Sequence, residues 1–269
     1  MMFFPATSGQ GSAKQLPRDI EVVPRKEWLR RFSKNHEPGA HHVTMLGPTG
    51  RGKTTLSKQM QKRIISPDYQ VIVLHGKIMG RDHVITKMAE DNNLRIVHRW
   101  PPPLSIRKRR KAINGYILMP LDHPRESVAE ENLLLQSEFR KAIHSNYTNT
   151  KRKTITDVDE SHQLQETLRL KSDVEGPLMR GAPDNSVWNK VQRGRFVSYH
   201  CYDAPEDIII FYDPDESNQK RYSEIGGVNK DQIIDITTNL QTERAADGRT
   251  ISQALHIRRQ GPELCIIDT

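Results

Sequence analysis

The sequence predicts an α/β fold with a mostly parallel central sheet flanked by helices, and three observations carry that expectation. A complete phosphate-binding loop, Gly47-Pro-Thr-Gly-Arg-Gly-Lys-Thr54, joins the apolar run Val43 to Leu46 to a helical pattern over Lys53 to Ile64. From His42 onward strand-like runs alternate with helical patterns, the signature of parallel strands linked by crossover helices. A second strand-like run, Lys153 to Val158, ends in the acidic pair Asp159-Glu160.

Residues 1 to about 18 are rich in Gly, Ser, Pro and polar side chains and read as a flexible arm. Glu21 to Phe32 follows as a short helix with Trp28, Leu29 and Phe32 on one stripe, so residues 1–40 are expected to precede a domain spanning 41–269. Within that domain Leu56, Met60 and Ile64 share one face of the helix after the loop. Tyr69 to His75 is the next strand, Asp82 to Asn92 a helix and Arg95 to Val97 a weak strand. Trp100-Pro-Pro-Pro103 then breaks regular structure. Gly115 to Leu121 is strand-like and should end at Pro120. Glu126 to His144 reads as a long helix whose apolar face is Val128, Leu133 to Leu135, Phe139 and Ile143. Later strands are expected at Lys153 to Val158, Ser186 to Val191, Asp207 to Tyr212 and Glu263 to Ile267, and no internal repeat is present.

Composition limits the function. A chain of 269 residues holds one sizeable core and leaves no room for a second large catalytic domain. Its formal net charge of +8 points toward a polyanionic partner, with nucleic acid the first candidate. The densest cluster, Arg107-Lys-Arg-Arg-Lys111, reads either as a solvated surface or as a contact for phosphate backbone. Two cysteines, Cys201 and Cys265, lie far apart without metal-ligand spacing, so they indicate neither a disulfide framework nor a zinc site, and a reducing cytoplasm is the simple inference. No run approaches the roughly eighteen apolar residues of a membrane span, and the amino terminus lacks a signal-peptide pattern, so a soluble protein without a membrane partner is expected.

The loop defines the first half of a nucleotide site. Unpaired amides at the start of a helix, with the positive end of its dipole, favour phosphate, and glycines let backbone close around it. Binding therefore falls to Gly47, Pro48, Thr49, Gly50, Arg51, Gly52, Lys53, Thr54 and Thr55, with Lys53 reaching the β- and γ-phosphates of ATP and the Thr54 hydroxyl on Mg²⁺. The second half is acidic: Asp159 is the expected magnesium carboxylate and Glu160 the base that deprotonates an attacking water. Asp157 competes for the metal role but lies inside the strand, and His162 reads as the start of a helix rather than as a chemical group. Gln192 ends a strand-like run, where its amide can contact the γ-phosphate or the water.

The order of these elements, Gly47 to Thr54, Asp159-Glu160, Val187-Trp188 ending in Gln192-Arg193, and Asp213 to Gly227, resembles the FtsK/HerA class of P-loop motor ATPases, most of all its short phage-type and actinobacterial-type members. The resemblance spans about residues 40 to 240. It implies a RecA-like P-loop NTPase fold, a homo-oligomeric ring that is usually a hexamer, and ATP hydrolysis coupled to movement of double-stranded DNA. By position it assigns nucleotide and Mg²⁺ binding to Lys53 and Thr54, the metal and the base to Asp159 and Glu160, and the sensor to Gln192. Ring ATPases complete each site with an arginine from a neighbour, for which Arg180, Arg193 and Arg195 are candidates. The sequence departs from the pattern in the polar residues Thr154, Thr156 and Asp157 before the acidic pair, in Gly194 where many members have Pro, and in lacking a DNA-steering domain.

Other readings are weighed on the same residues. A kinase shares the loop, but a water-activating Glu160 would waste ATP in a transferase. A GTPase would need Asp two residues after Lys190, where Gln192 stands. A viral DNA-packaging ATPase shares both core and substrate, and a nucleotide-binding switch would bind ATP without turnover.

Overall fold

The computed structural model describes residues 20–36, 41–65, 69–78, 83–103, 113–148, 152–180, 184–244, 250–259 and 263–268. The arm expected at residues 1 to 18 and the basic run Arg107 to Lys111 lie outside the described residues.

Among the described residues, ten strands form the main sheet, in the order β1-β12-β11-β8-β2-β7-β6-β3-β5-β4. They are β1 (Glu21–Pro24), β2 (Val43–Leu46), β3 (Tyr69–Leu74), β4 (Leu94–Val97), β5 (Gly115–Leu118), β6 (Lys153–Val158), β7 (Asn185–Val191), β8 (Asp207–Phe211), β11 (Ala254–Arg258) and β12 (Glu263–Asp268). Strands β8 to β4 run parallel, while β11 is antiparallel to both β8 and β12. A separate hairpin joins β9 (Thr242–Arg244) to β10 (Thr250–Ser252). This is the expected mostly parallel sheet flanked by helices, the architecture of RecA-like P-loop NTPases.

Alternation along the strands supplies two cores. One face packs Val43, Met45, Val71 and Val73 against Trp28 and Phe32 of α1 (Arg25–Asn35), Leu56 and Met60 of α2 (Lys53–Ile64), and Ile85 and Met88 of α3 (His83–Asp91). The other packs Leu46, Ile72, Leu74, Val158, Val187 and Val191 against α4 (Val128–Tyr147), α5 (Lys171–Arg180) and α8 (Lys230–Asn239). Two single turns, α6 (His200–Asp203) and α7 (Glu216–Gln219), lie between β7 and α8.

The helix expected over Glu21 to Phe32 is corrected at its start. Glu21 to Pro24, read as the first turn of a helix, instead pairs with β12 as an edge strand, with Glu21 opposite Cys265 and Pro24 opposite Asp268. The helix begins at Arg25, since Pro24 holds an extended backbone. Its stripe of Trp28, Leu29 and Phe32 is buried as expected, so this segment belongs to the same core as the rest of the sheet.

Helix α4 starts later than expected because Ser127 caps it, its hydroxyl accepting from the Glu130 amide at 3.2 Å. Leu135, Phe139 and Ile143 are buried, but Val128 and Leu133, assigned to the same face, are exposed. Strand β5 ends at Leu118, before Pro120. Close approach explains its first residue: a Cβ on Gly115 would lie 1.9 Å from the Val71 carbonyl oxygen of β3.

Both cysteines are free and buried, and burial pushes each thiol up to about 12. At pH 8 about one thiol in ten thousand is therefore the reactive thiolate. Native protein should leave Ellman's reagent unreacted, and guanidinium should release two thiols per chain. Rapid labelling under native conditions would show that the two cores are not closed around these residues.

Candidate functional site

Strands β2, β6, β7 and β8 lie side by side in the middle of the sheet, and the residues after each meet at its carboxyl end. Gly47 leaves β2 directly against β8, where an added Cβ would lie 2.9 Å from that of Phe211. Gly52 is left-handed, with φ of 95°, and turns the loop into α2. The expected strand, loop and helix are thus present.

The Lys53 ammonium is buried and donates to the carbonyl oxygens of Gly47 and, at 2.8 Å, Pro48. Burial pulls its pKa down to about 8, against the attraction of Asp159. Pro48 is half-buried, while Thr49, Gly50 and Thr55 are exposed. Arg51 places its guanidinium 5.0 Å from the centre of the Tyr212 ring.

The two halves of the site meet at Asp159. Thr54 donates its hydroxyl to Asp159 Oδ1 at 3.2 Å, and His75 Nδ1 lies 2.7 Å from Oδ2. Asp157, the competing carboxylate, does not reach Thr54. Its Oδ2 accepts from Ser57 Oγ at 2.7 Å and from Gln61 Nε2 at 2.6 Å, both on α2. Between the carboxylates sits Lys190, fully buried, with its ammonium 2.8 Å from Asp157 Oδ1 and 3.1 Å from Asp159 Oδ1. Burial opposes the charge on both Asp159 and Lys190. For Asp159 the attraction of Lys190 and His75 outweighs it and holds the carboxyl far below its usual range. For Lys190 the two aspartates outweigh it and raise the ammonium.

Glu160 is half-buried beside the loop, with Oε1 3.7 Å from His162 Nε2, and His162 opens the helical turn that continues through Gln163–Thr167. Gln192 sits against the loop, where its Oε1 accepts from the Thr49 hydroxyl at 2.8 Å. Arg180, Arg193 and Arg195 are exposed, and Arg195 lies 4.4 Å from the centre of the Phe196 ring.

The polar run before the acidic pair is accounted for on both faces of β6. Thr156 Oγ1 accepts from Asn146 of α4 at 2.8 Å, while Asp157 turns toward α2 and Lys190. Gly194 also has a steric reason: a Cβ there would lie 2.2 Å from the Tyr202 hydroxyl. Arg221 fastens the same loop by donating to the carbonyl oxygens of Gly194 at 2.9 Å and Val197 at 2.6 Å.

Three members of the site carry no chemical role in the sequence analysis: His75 stands there as a strand end, Lys190 as part of a rejected guanine motif, and Asp213 as the start of the Asp213 to Gly227 stretch. Asp213, at the end of β8, accepts from Asn218 at 3.0 Å, and burial raises its pKa. One signal was available: Lys190 and Asp157 place opposite charges inside two runs that otherwise form buried strands.

No protein-family model matches the sequence, and no curated protein matches it. Solved structures do. The genome packaging NTPase B204 from Sulfolobus turreted icosahedral virus 2, in complex with AMPPCP, aligns with a TM-score of 0.56 at 14% identity over 86% of this chain and 98% of that chain. B204, the DNA-packaging ATPase from Sulfolobus turreted icosahedral virus, aligns with a TM-score of 0.54 at 13% identity and the same coverage. The ATP-gammaS complex of the first protein aligns with a TM-score of 0.54 at 12% identity. At such identities the likeness establishes a shared P-loop NTPase fold. No described helix is long and apolar enough to cross a membrane.

Replacing Lys190 by Met should cost about 3–5 kcal/mol, because it leaves buried carboxylates without their cation. Adding Asp157→Asn to that variant should recover part of the loss in urea unfolding. Strictly additive losses would mean that the two side chains are not energetically coupled.

Proposed function

We propose that the chain is an ATP-hydrolysing motor of the FtsK/HerA type, and that it acts as a DNA-packaging ATPase rather than as a member of the phage or actinobacterial translocase subtype. The observation that carries the reading is the meeting of Thr54 and Asp159 at 3.2 Å, under a loop that carries Lys53 and within reach of Gln192. The shared fold with ATPases that package viral DNA, across 98% of their chain, supports the packaging assignment.

In this reading the amides of Gly50 to Thr54 hold the β-phosphate, and Lys53 leaves its carbonyl partners for the β- and γ-phosphates. The hydroxyl of Thr54 and the carboxylate of Asp159 form an oxygen pair suited to Mg²⁺, and these two residues would hold the ion. When bound, Mg²⁺ supplies charge neutralisation across the β- and γ-phosphates. Glu160 takes the proton of the water that attacks the γ-phosphate, which yields ADP and inorganic phosphate. Gln192, oriented by Thr49, orients that water. An exposed arginine, Arg180, Arg193 or Arg195, enters the neighbouring site of a homo-oligomeric ring, a hexamer in the FtsK/HerA pattern. Double-stranded DNA is the proposed track for a chain of net charge +8.

Glu160→Gln should lower kcat by about 10²–10⁴ with nucleotide affinity retained, since a general base contributes on that scale. Lys53→Ala should instead lose nucleotide binding, as read by fluorescent ATP-analogue titration. Unchanged turnover in Glu160→Gln would remove the base from its assigned role. Double-stranded DNA should stimulate the wild-type ATPase, and the stimulation should fade as salt rises. An ATPase indifferent to DNA at low salt would overturn the motor reading while leaving the hydrolase intact.

A further inference from the structure

A second cluster of chemistry-bearing side chains lies at the opposite end of the sheet. His36 follows the last residue of α1, His41 precedes β2, and Asp207 opens β8 beside β2. One ligand atom from each of the three lies within 4.8 Å of the others.

His36 is the informative member. Its side chain is wholly buried, and neither ring nitrogen has a hydrogen-bond partner. The nearest carboxylate oxygen, Asp207 Oδ2, is 3.9 Å from Nδ1, beyond hydrogen-bond reach. Phe32 stacks on the ring at 4.8 Å, and Trp188 meets it edge-on at 5.6 Å.

Asp207 is already oriented. Trp28 Nε1 donates to His256 Nδ1 at 3.0 Å, so His256 carries its proton on Nε2 and donates it to Asp207 Oδ1 at 2.8 Å. Arg258 donates to Oδ2 at 3.1 Å. Such outer hydrogen bonds are the ones that fix a ligating carboxylate. A neighbouring trio, His256, Glu263 and Cys265, also converges. It fails as a site because both nitrogens of His256 are engaged and burial keeps the Cys265 thiol protonated.

We propose that His36, His41 and Asp207 bind one divalent transition-metal ion of the zinc type. Two imidazoles and a carboxylate suit Zn²⁺ and do not suit Mg²⁺ or Ca²⁺, which take oxygen donors. Arg258 already sits on Asp207 and cancels its charge, so a bound dication leaves the cluster doubly positive, and a hydroxide completing the coordination would offset half of that. The ion would tie the end of α1 to the amino ends of β2 and β8. This inference does not depend on the nucleotide reading.

The test uses the full chain, stripped with EDTA, dialysed, and titrated with Zn²⁺ and separately with Co²⁺. Expected are one zinc per chain, a raised thermal midpoint, and intense visible bands from tetrahedral Co²⁺. His41→Ala, the least buried substitution, should weaken zinc binding by at least about tenfold. Repeating the titration in Asp159→Asn excludes zinc held beside the phosphate-binding loop. Zinc below one equivalent, equal affinity in His41→Ala, or weak octahedral Co²⁺ bands would overturn the proposal.

Discussion

Asp157 and Asp159 leave the same face of β6, and the ammonium of Lys190 on the adjacent strand lies between them. A charge at that depth is tolerated only when it is paired and hydrogen-bonded. Both carboxylates meet the two conditions: Ser57 and Gln61 hold Asp157, while His75 and Thr54 hold Asp159. The consequence reaches the loop itself. Ser57 and Gln61 belong to the helix that Lys53 and Thr54 begin, so the pairing fixes the register of α2 against β6 and therefore the distance between Thr54 and Asp159. Lys190 lies two residues before Gln192, which ties the orientation of β7 to the same charges.

This dependence explains what the sequence did and did not disclose. The strand, loop and helix from Val43 to Ile64 were legible because glycine positions and an apolar stripe at helical spacing are local signals. Strand β6 was legible as well, and its polar residues looked anomalous only because their partners come from elsewhere in the chain. Thr156 is met by Asn146, and Asp157 by Lys190, Ser57 and Gln61. Pairing across distant segments leaves no mark on hydropathy.

The missed strands follow the same rule. β11 carries His256 and Arg258 and reads as polar, yet both side chains are buried because Asp207, on the next strand, satisfies them. β1 has four residues and gains its place through pairing with β12, a contact between the two ends of the described chain. Helix α8, for which the sequence analysis holds no expectation, buries Ile233 and Ile236.

Each end of the central strands is thus pinned by a buried carboxylate with cationic or imidazole partners: Asp159 at the carboxyl end and Asp207 at the amino end. β2 lies between β7, which carries Lys190, and β8, which carries Asp207, and it leads into the loop. A sheet held at both ends and buried on both faces is a poor place for motion, because packed cores shift between discrete arrangements rather than deform continuously. Nucleotide-dependent change is more cheaply absorbed where fewer apolar contacts hold the chain. The segment from Gln192 to Tyr199 is the exposed neighbour of the loop: it touches the loop through Gln192, is anchored by buried Val197 and by Arg221 at Gly194 and Val197, and carries exposed Arg193, Arg195 and Phe196. A γ-phosphate that drew Gln192 away from Thr49 would therefore move this exposed edge and leave the sheet in place.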